Sequence, residues 1–178
     1  MMLVNYSYIL KRLEKDIQNI ERGVDIMSYL DDIEVKVVER EAIPVISVRE
    51  MVDFTNQKGF SNALTKCFLL IKENNLTPIG APIAIYHGEE FIETSYDTEI
   101  AIPIKEIDKK TNTIEVSKCA MVTLKGPYSE LSSAYAKLRE WISEKGYNLA
   151  GPPYDIYVTD PTDTKPEDCI TEIYFPIK

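Results

Sequence analysis

Two segments with the same pattern decide the fold: Glu99-Ile100-Ala101-Ile102-Pro103-Ile104-Lys105 and Glu172-Ile173-Tyr174-Phe175-Pro176-Ile177-Lys178. They lie 73 residues apart, and their β-branched and aromatic residues are typical of strands. A second matched pair lies upstream at an offset of 71 residues, Gly80-Ala81-Pro82-Ile83-Ala84-Ile85-Tyr86 and Gly151-Pro152-Pro153-Tyr154-Asp155-Ile156-Tyr157. Self-similarity at a nearly constant offset predicts an internal repeat.

Each copy of the repeat is predicted to contain a strand, a helix and two further strands. The first strands are expected within 42–48 and 120–124, and the strands after the helices at 83–86 and 156–159. In the first helix Ser61 is the predicted N-cap, Leu64, Cys67, Phe68 and Ile71 form the apolar face, and the end lies near Asn74-Asn75. The second helix follows Gly126-Pro127 and is closed by Gly146, with an apolar face of Leu131, Tyr135, Leu138, Trp141 and Ile142.

The predicted fold is therefore α+β, with duplicated strand-helix-strand-strand units related by a pseudo-two-fold axis. The units, at about 33–105 and 113–178, together form one domain over 33–178 with an antiparallel sheet and two helices. Halves of about 70 residues cannot close a core alone, so they are expected to pack together. A ligand groove is expected where they meet.

Residues 1–32 are predicted to form a separate amphipathic helix. Its apolar residues recur with a heptad rhythm between charged positions, at Tyr6, Leu10, Leu13, Ile17, Ile20, Val24 and Met27. The narrow seam favours pairing of two subunits into a homodimer through residues 6–27. The alternative is a helix that lies on its own domain.

The charge balance and the cysteines exclude several classes of protein. With 20 basic and 29 acidic residues the net charge is −9, which opposes direct binding of nucleic acid. The three scattered cysteines and the single histidine, His87, predict reduced thiols and no metal site, and no cofactor motif is present. No apolar run is long enough to cross a membrane, and a cytoplasmic protein is expected.

The duplicated pattern, the Gly-x-Pro turns and the final Thr171-Glu172-Ile173-Tyr174-Phe175-Pro176-Ile177 resemble the GyrI-like small-molecule-binding domain, also called the bacterial transcription activator effector-binding domain. The resemblance covers about residues 35–178. It implies a domain of the type found in MerR-family and AraC-family regulators, in a gyrase inhibitor and in free-standing proteins. A dimerising helix precedes the domain in MerR-family regulators, and residues 6–27 resemble the end of such a helix. The chain shows no helix-turn-helix, so a separate DNA-binding partner or a free-standing binder is expected.

The resemblance also implies that Glu172 lies in the effector pocket and faces a lipophilic cation, as in multidrug binding. Period two places Glu172 and Tyr174 on one face of their strand, and a carboxylate among aromatic rings favours a delocalised cation. The remaining candidate ligand-binding residues are Tyr157, Tyr154, Trp141, Tyr86, Met51 and Phe54. Taken singly, each aromatic residue fits an ordinary core position better than a ligand site, whereas Glu172 fits an exposed sheet face and a ligand site equally well.

Three functions follow from these features. The first is a ligand sensor that relays occupancy through the N-terminal helix to a transcriptional partner. The second is a free-standing hydrolase or scavenger of reactive small molecules that uses Glu172 as an acid or base. The third is a protein-binding module of the gyrase-inhibitor type, acting through its acidic surface. The sequence favours binding over catalysis, because no second catalytic group is evident.

Overall fold

The structure, a computed structural model, describes residues 33–53, 58–88, 95–107, 111–115 and 117–178. The predicted N-terminal helix and the candidate residue Phe54 lie outside the described residues. Among the described residues, no helix combines the length and the apolar character that a membrane span requires.

An eight-stranded sheet runs through the described residues, and every pair of neighbouring strands is antiparallel. The spatial order is β1-β6-β8-β7-β3-β4-β2-β5. The strands are β1 (Lys36–Arg40), β2 (Ile43–Asp53), β3 (Ile83–Tyr86), β4 (Ser95–Pro103), β5 (Asn112–Ile114), β6 (Ser117–Lys125), β7 (Tyr154–Tyr157) and β8 (Ile170–Pro176).

Within the described residues, two α-helices complete the mixed α+β fold that the sequence predicted: α1 (Lys58–Glu73) between β2 and β3, and α2 (Leu131–Glu144) between β6 and β7. The order strand-helix-strand-strand thus occurs at 43–103 and again at 117–176. The two units join edge to edge, because β3 pairs with β7 at the centre of the sheet. That the units arose by duplication stays a prediction.

Both helices pack on one face of the sheet, which we call the helix side. Leu138 and Ile142 of α2 pack on residues of β6 and β8, while Cys67 and Ile71 of α1 pack on residues of β2, β3 and β4. Cross-strand partners share a face, and the pairs 100–84, 84–155, 155–173 and 173–122 carry the helix side from β4 to β6. A third apolar cluster, made only of strand residues, lies on the opposite, helix-free face.

The helix ends follow the local signals, with two corrections. Asn75 and Gly146 both have positive φ, of 53° and 74°, so the predicted end of α1 and the left-handed cap of α2 are confirmed. However, α1 begins at Lys58 rather than at Ser61. Phe68 was predicted to be on the apolar face but is 49% exposed, because its neighbour Cys67 is the residue that points into the core.

Strand prediction was wrong at three places. The strand expected at 156–159 begins two residues earlier, as β7. The edge strands β1 and β5 were not predicted. Both edge strands are short and consist mostly of exposed or half-exposed residues, so they lack the apolar alternation that marks a strand in sequence.

Candidate functional site

The predicted site residues separate onto the two faces of the sheet. Side chains alternate along β7, so Tyr157 lies on the helix side and Tyr154 on the helix-free face. Tyr86 of β3 joins Tyr157 on the helix side. Glu172 and Tyr174 of β8 share the helix-free face with Tyr154, as their spacing predicted. Two distinct groups of candidate residues result.

The helix-side group surrounds a buried carboxylate, Asp155, which is 1% exposed. The hydroxyl of Tyr135, on α2, donates to Asp155 Oδ1 at 2.7 Å, and the hydroxyl of Tyr86 donates to Oδ2 at 3.0 Å. The Tyr157 hydroxyl lies 3.1 Å from that of Tyr86. Because Tyr86 uses its proton on Asp155, Tyr157 is the donor between these two. One carboxylate is therefore held by a chain of phenols from both halves of the domain.

Burial dominates the electrostatics of this group. It raises the pKa of Asp155 to about 7, although the hydrogen bonds from Tyr135 and Tyr86 act in the opposite direction. The pKa values of Tyr86, Tyr135 and Tyr157 are also raised, first by burial and then by the charge of Asp155. The phenols therefore stay neutral at physiological pH, while Asp155 titrates close to it.

Aromatic rings cover the group from both halves. Phe60 of α1 meets the ring of Tyr157 edge-on at 5.2 Å, and Tyr128, in the short 3₁₀ helix before α2, does so at 5.5 Å. Both covering rings are half-buried. We call this group the aromatic slot; it consists of Asp155, Tyr86, Tyr135, Tyr157, Phe60 and Tyr128. It combines a buried carboxylate with aromatic rings, and both kinds of group attract a cation.

Sequence reasoning missed Asp155, Tyr135, Tyr128 and Phe60 as site residues. A signal for Asp155 was present, since the aligned copies place it opposite Ala84 in the matching segment. The structure pairs these two residues directly across the β3–β7 join. A carboxylate in one copy against alanine in the other marks a position where the halves differ in chemistry. No comparable signal identifies the rings, which fit helix-core patterns equally well.

In the helix-free group, Glu172, Tyr174 and Tyr154 already contact one another or another side chain of the protein. The Tyr174 hydroxyl donates to Glu172 Oε2 at 2.7 Å, and the rings of Tyr154 and Tyr174 stack at 4.9 Å with 10° between their planes. The guanidinium of Arg40 lies 4.7 Å from the centre of the Tyr174 ring. A cation of the protein thus occupies the place over this aromatic wall that an external cation would take.

The other candidates lie apart from both groups. Trp141 stacks on Tyr147 at 6.0 Å beside the core under α2, and Met51 is exposed near the end of β2.

The larger of two cavities, with a volume of about 480 Å³, lies beside Arg40 and Ile43. The smaller, about 150 Å³, is lined by Glu34, Lys36, Met121 and Thr123. Thr123 is the cross-strand neighbour of Glu172, so this recess adjoins the helix-free group.

His87 follows β3 and its ring nitrogen lies 2.8 Å from Glu99 Oε2. Within the described part of the chain, no group of three or more His, Cys, Asp or Glu side chains is arranged to hold a metal ion. The cysteines at 67, 119 and 169 are unbridged and buried.

Residues 33–178 match the family model described as GyrI-like small molecule binding domain. The crystal structure of the EcmrR C-terminal domain is similar, with a TM-score of 0.74 and 24% identity over 83% of this chain and 98% of that one. EcmrR in a cryo-EM complex with DNA gives 0.73 and 21% over 98% of this chain. The match spans 66% of that EcmrR chain, slightly less than two thirds of its length.

Two further structures share the fold at lower identity. A hydrolase from Listeria innocua gives a TM-score of 0.59 and 12% identity, covering 82% of this chain and 92% of that one. SAV2435 bound to tetraphenylphosphonium gives 0.53 and 15%, covering 82% and 98%. No protein with a curated description matches the chain.

Proposed function

This chain belongs to the family of GyrI-like small-molecule-binding domains, and we propose that it binds a lipophilic cation in the aromatic slot around Asp155. The observation that carries the proposal is a carboxylate, 1% exposed, whose hydrogen-bond donors are neutral phenols. A buried carboxylate without a cation is costly, and an organic cation would lower that cost by pairing with the charge. The same cation would gain contact with the ring faces of the slot.

The position of the slot also supports ligand binding. It lies where the two halves join, with Tyr86 and Phe60 from the first half and Tyr135, Tyr157 and Tyr128 from the second. Clefts at such joins are common ligand sites, because residues from two units can converge on one molecule. The half-buried rings of Phe60 and Tyr128 lie on the outer side of the slot and are the groups that an entering ligand would displace.

Two features favour the slot over the helix-free group that includes Glu172. Arg40 already lies over the Tyr174 ring, and a ligand would have to displace it. Glu172 is partly exposed, so water stabilises its charge and a cation gains less from pairing with it. Among the solved structures that share the fold, SAV2435 is bound to tetraphenylphosphonium, a lipophilic cation without hydrogen-bond donors. Tetraphenylphosphonium is therefore a suitable first probe.

We further propose that ligand binding serves transcriptional regulation, with occupancy relayed through residues 6–27 to a DNA-reading partner. The likeness to EcmrR in a complex with DNA supports this role. For signalling, the ligand must bind two states of the protein with different affinity. Pairing of two subunits through residues 6–27 would supply such a coupling.

The test is calorimetric titration of the full chain with tetraphenylphosphonium, comparing wild type, Asp155→Asn and Glu172→Gln. Loss of a buried charge partner is expected to weaken binding by about tenfold or more in Asp155→Asn, while Glu172→Gln stays within about twofold of wild type. Circular dichroism checks that each variant is folded. The reverse ranking would place the site on the helix-free face, and no binding by wild type would refute the proposed ligand class.

Hydrolysis is a second candidate function, favoured by one contact. The 2.7 Å hydrogen bond from the Tyr174 hydroxyl to Glu172 joins a candidate acid and a candidate base beside the recess at Thr123. The fold is shared with the Listeria innocua hydrolase. Turnover of a reactive substrate that is lost in Glu172→Gln and retained in Asp155→Asn would support this function.

A further inference from the structure

Thr171 has a fully buried hydroxyl without a hydrogen-bond partner among the described residues. The residue is 0% exposed, and within that part of the chain Oγ1 reaches no donor or acceptor. Thr171 is the direct cross-strand neighbour of Tyr157, so its side chain lies on the helix side next to the aromatic slot. An unpaired buried hydroxyl is costly, and native structures seldom keep one without a reason.

The matching residue in the first half shows that this cost is avoidable. Thr98 precedes Glu99 as Thr171 precedes Glu172, and Thr98 is the cross-strand neighbour of Tyr86 as Thr171 is of Tyr157. Thr98 is equally buried, but its hydroxyl donates to the carbonyl of Tyr96 at 3.0 Å. Among the residues that the structure describes, the hydroxyl at this equivalent position is thus hydrogen-bonded in the first half and unpaired in the second.

Thr171 and Asp155 lie on the same face of two paired strands. Asp155 pairs with Ile173, so Thr171 is its diagonal neighbour on the same face. Diagonal neighbours of this kind are about 7 to 8 Å apart, and their Cβ atoms are somewhat closer. One aromatic molecule of two or three fused rings is long enough to place its charge at Asp155 and a polar substituent at Thr171.

We propose that Thr171 is a hydrogen-bonding subsite of the aromatic slot, which selects cationic aromatic ligands that carry an amino, hydroxyl or carbonyl group. The inference rests on the proposed function, because it assumes that the ligand's charge is held by Asp155. Thr171 then determines specificity: it adds affinity only for ligands that can satisfy its hydroxyl. A ligand without such a group leaves the hydroxyl unpaired, as in the free protein.

The experiment compares two cations on the full chain: ethidium, which carries two amino groups, and tetraphenylphosphonium, which carries no hydrogen-bonding group. Thr171→Val keeps the shape and removes the hydroxyl. It is expected to weaken ethidium binding about tenfold and to leave tetraphenylphosphonium binding within about twofold of wild type. Thr171→Ser, which restores the hydroxyl, is expected to recover most of the ethidium affinity.

Thr98→Val is the matched control, because it removes a hydroxyl that is already paired within the protein. It is expected to change the ethidium-to-tetraphenylphosphonium affinity ratio by less than about twofold. If wild type binds both probes and Thr171→Val affects both equally or neither, the subsite is refuted while the proposed function stands. If wild type binds neither probe, the proposed function fails, and the inference fails with it.

Discussion

Replacement of Asp155 by asparagine is expected to change the pH dependence of stability in a defined direction. Burial raises the pKa of Asp155 from 3.8 to about 7 in the folded protein, so the folded state holds this proton more tightly than the unfolded chain does. The contribution of Asp155 to the free energy of unfolding is therefore fully present below about pH 4 and is lost as the pH rises to about 7. Three pH units at 1.36 kcal/mol each give a loss of about 4 kcal/mol in the wild type.

The amide side chain of the Asp155→Asn variant cannot ionise, so this pH-dependent loss of stability does not occur in the variant. The free energy of unfolding of Asp155→Asn minus that of wild type should rise by about 4 kcal/mol between pH 4 and pH 8. Urea denaturation at half-unit pH intervals measures it, and the contributions of the other carboxylates cancel in the difference. Asp163→Asn, which makes the same substitution at an exposed position, is the matched control. A flat difference for Asp155→Asn would refute the assignment of a buried, uncompensated charge.

Two further substitutions test the packing that positions the slot. Gly146→Ala should lower the free energy of unfolding by about 1 kcal/mol in urea denaturation, because φ at this position is +74° and nothing lies within 4 Å of the new Cβ, so backbone strain alone sets the cost. Gly151→Ala, without that backbone constraint, should be nearly neutral, and equal effects of the two substitutions would contradict the strain argument. Leu138→Ala, at a fully buried position of α2, should lower the free energy of unfolding by about 3 kcal/mol, whereas Leu149→Ala, at an exposed position, should lower it by less than about 1 kcal/mol. A small loss in Leu138→Ala would mean that this side chain does not hold α2 on the sheet.

The central strands could be predicted from sequence because their apolar residues are continuous and occur twice. β3 was predicted with its bounds, and the segments Glu99–Lys105 and Glu172–Lys178 fall largely in β4 and β8. The edge strand β1 could not be predicted in this way. Its position depends on pairing with β6, a contact between residues about 80 apart that local pattern does not encode.

For the candidate site, the sequence predicted a carboxylate among aromatic rings, but not which strands would bring such groups together. Alternation along β8 correctly put Glu172 and Tyr174 on one face. The sequence did not reveal that Arg40, from an unpredicted edge strand, lies over the Tyr174 ring on that face. The pairing of Tyr86 with Asp155 also depends on the β3–β7 join, which only the folded sheet brings about.

A slot at the join of two similar halves must be asymmetric if it is to hold a single positive charge. Ala84 and Asp155 lie directly opposite each other across the join, so a carboxylate at both positions would place like charges about 5 Å apart in a buried environment. Only one of the pair can be acidic without raising the cost of burial further. A second asymmetry lies on the flanking strands β4 and β8, where the Thr98 hydroxyl donates to a carbonyl and the Thr171 hydroxyl has no partner among the described residues. In such a fold, candidate binding residues are therefore to be sought where equivalent positions of the two halves differ, either in residue type, as at Ala84 and Asp155, or in hydrogen bonding, as at Thr98 and Thr171.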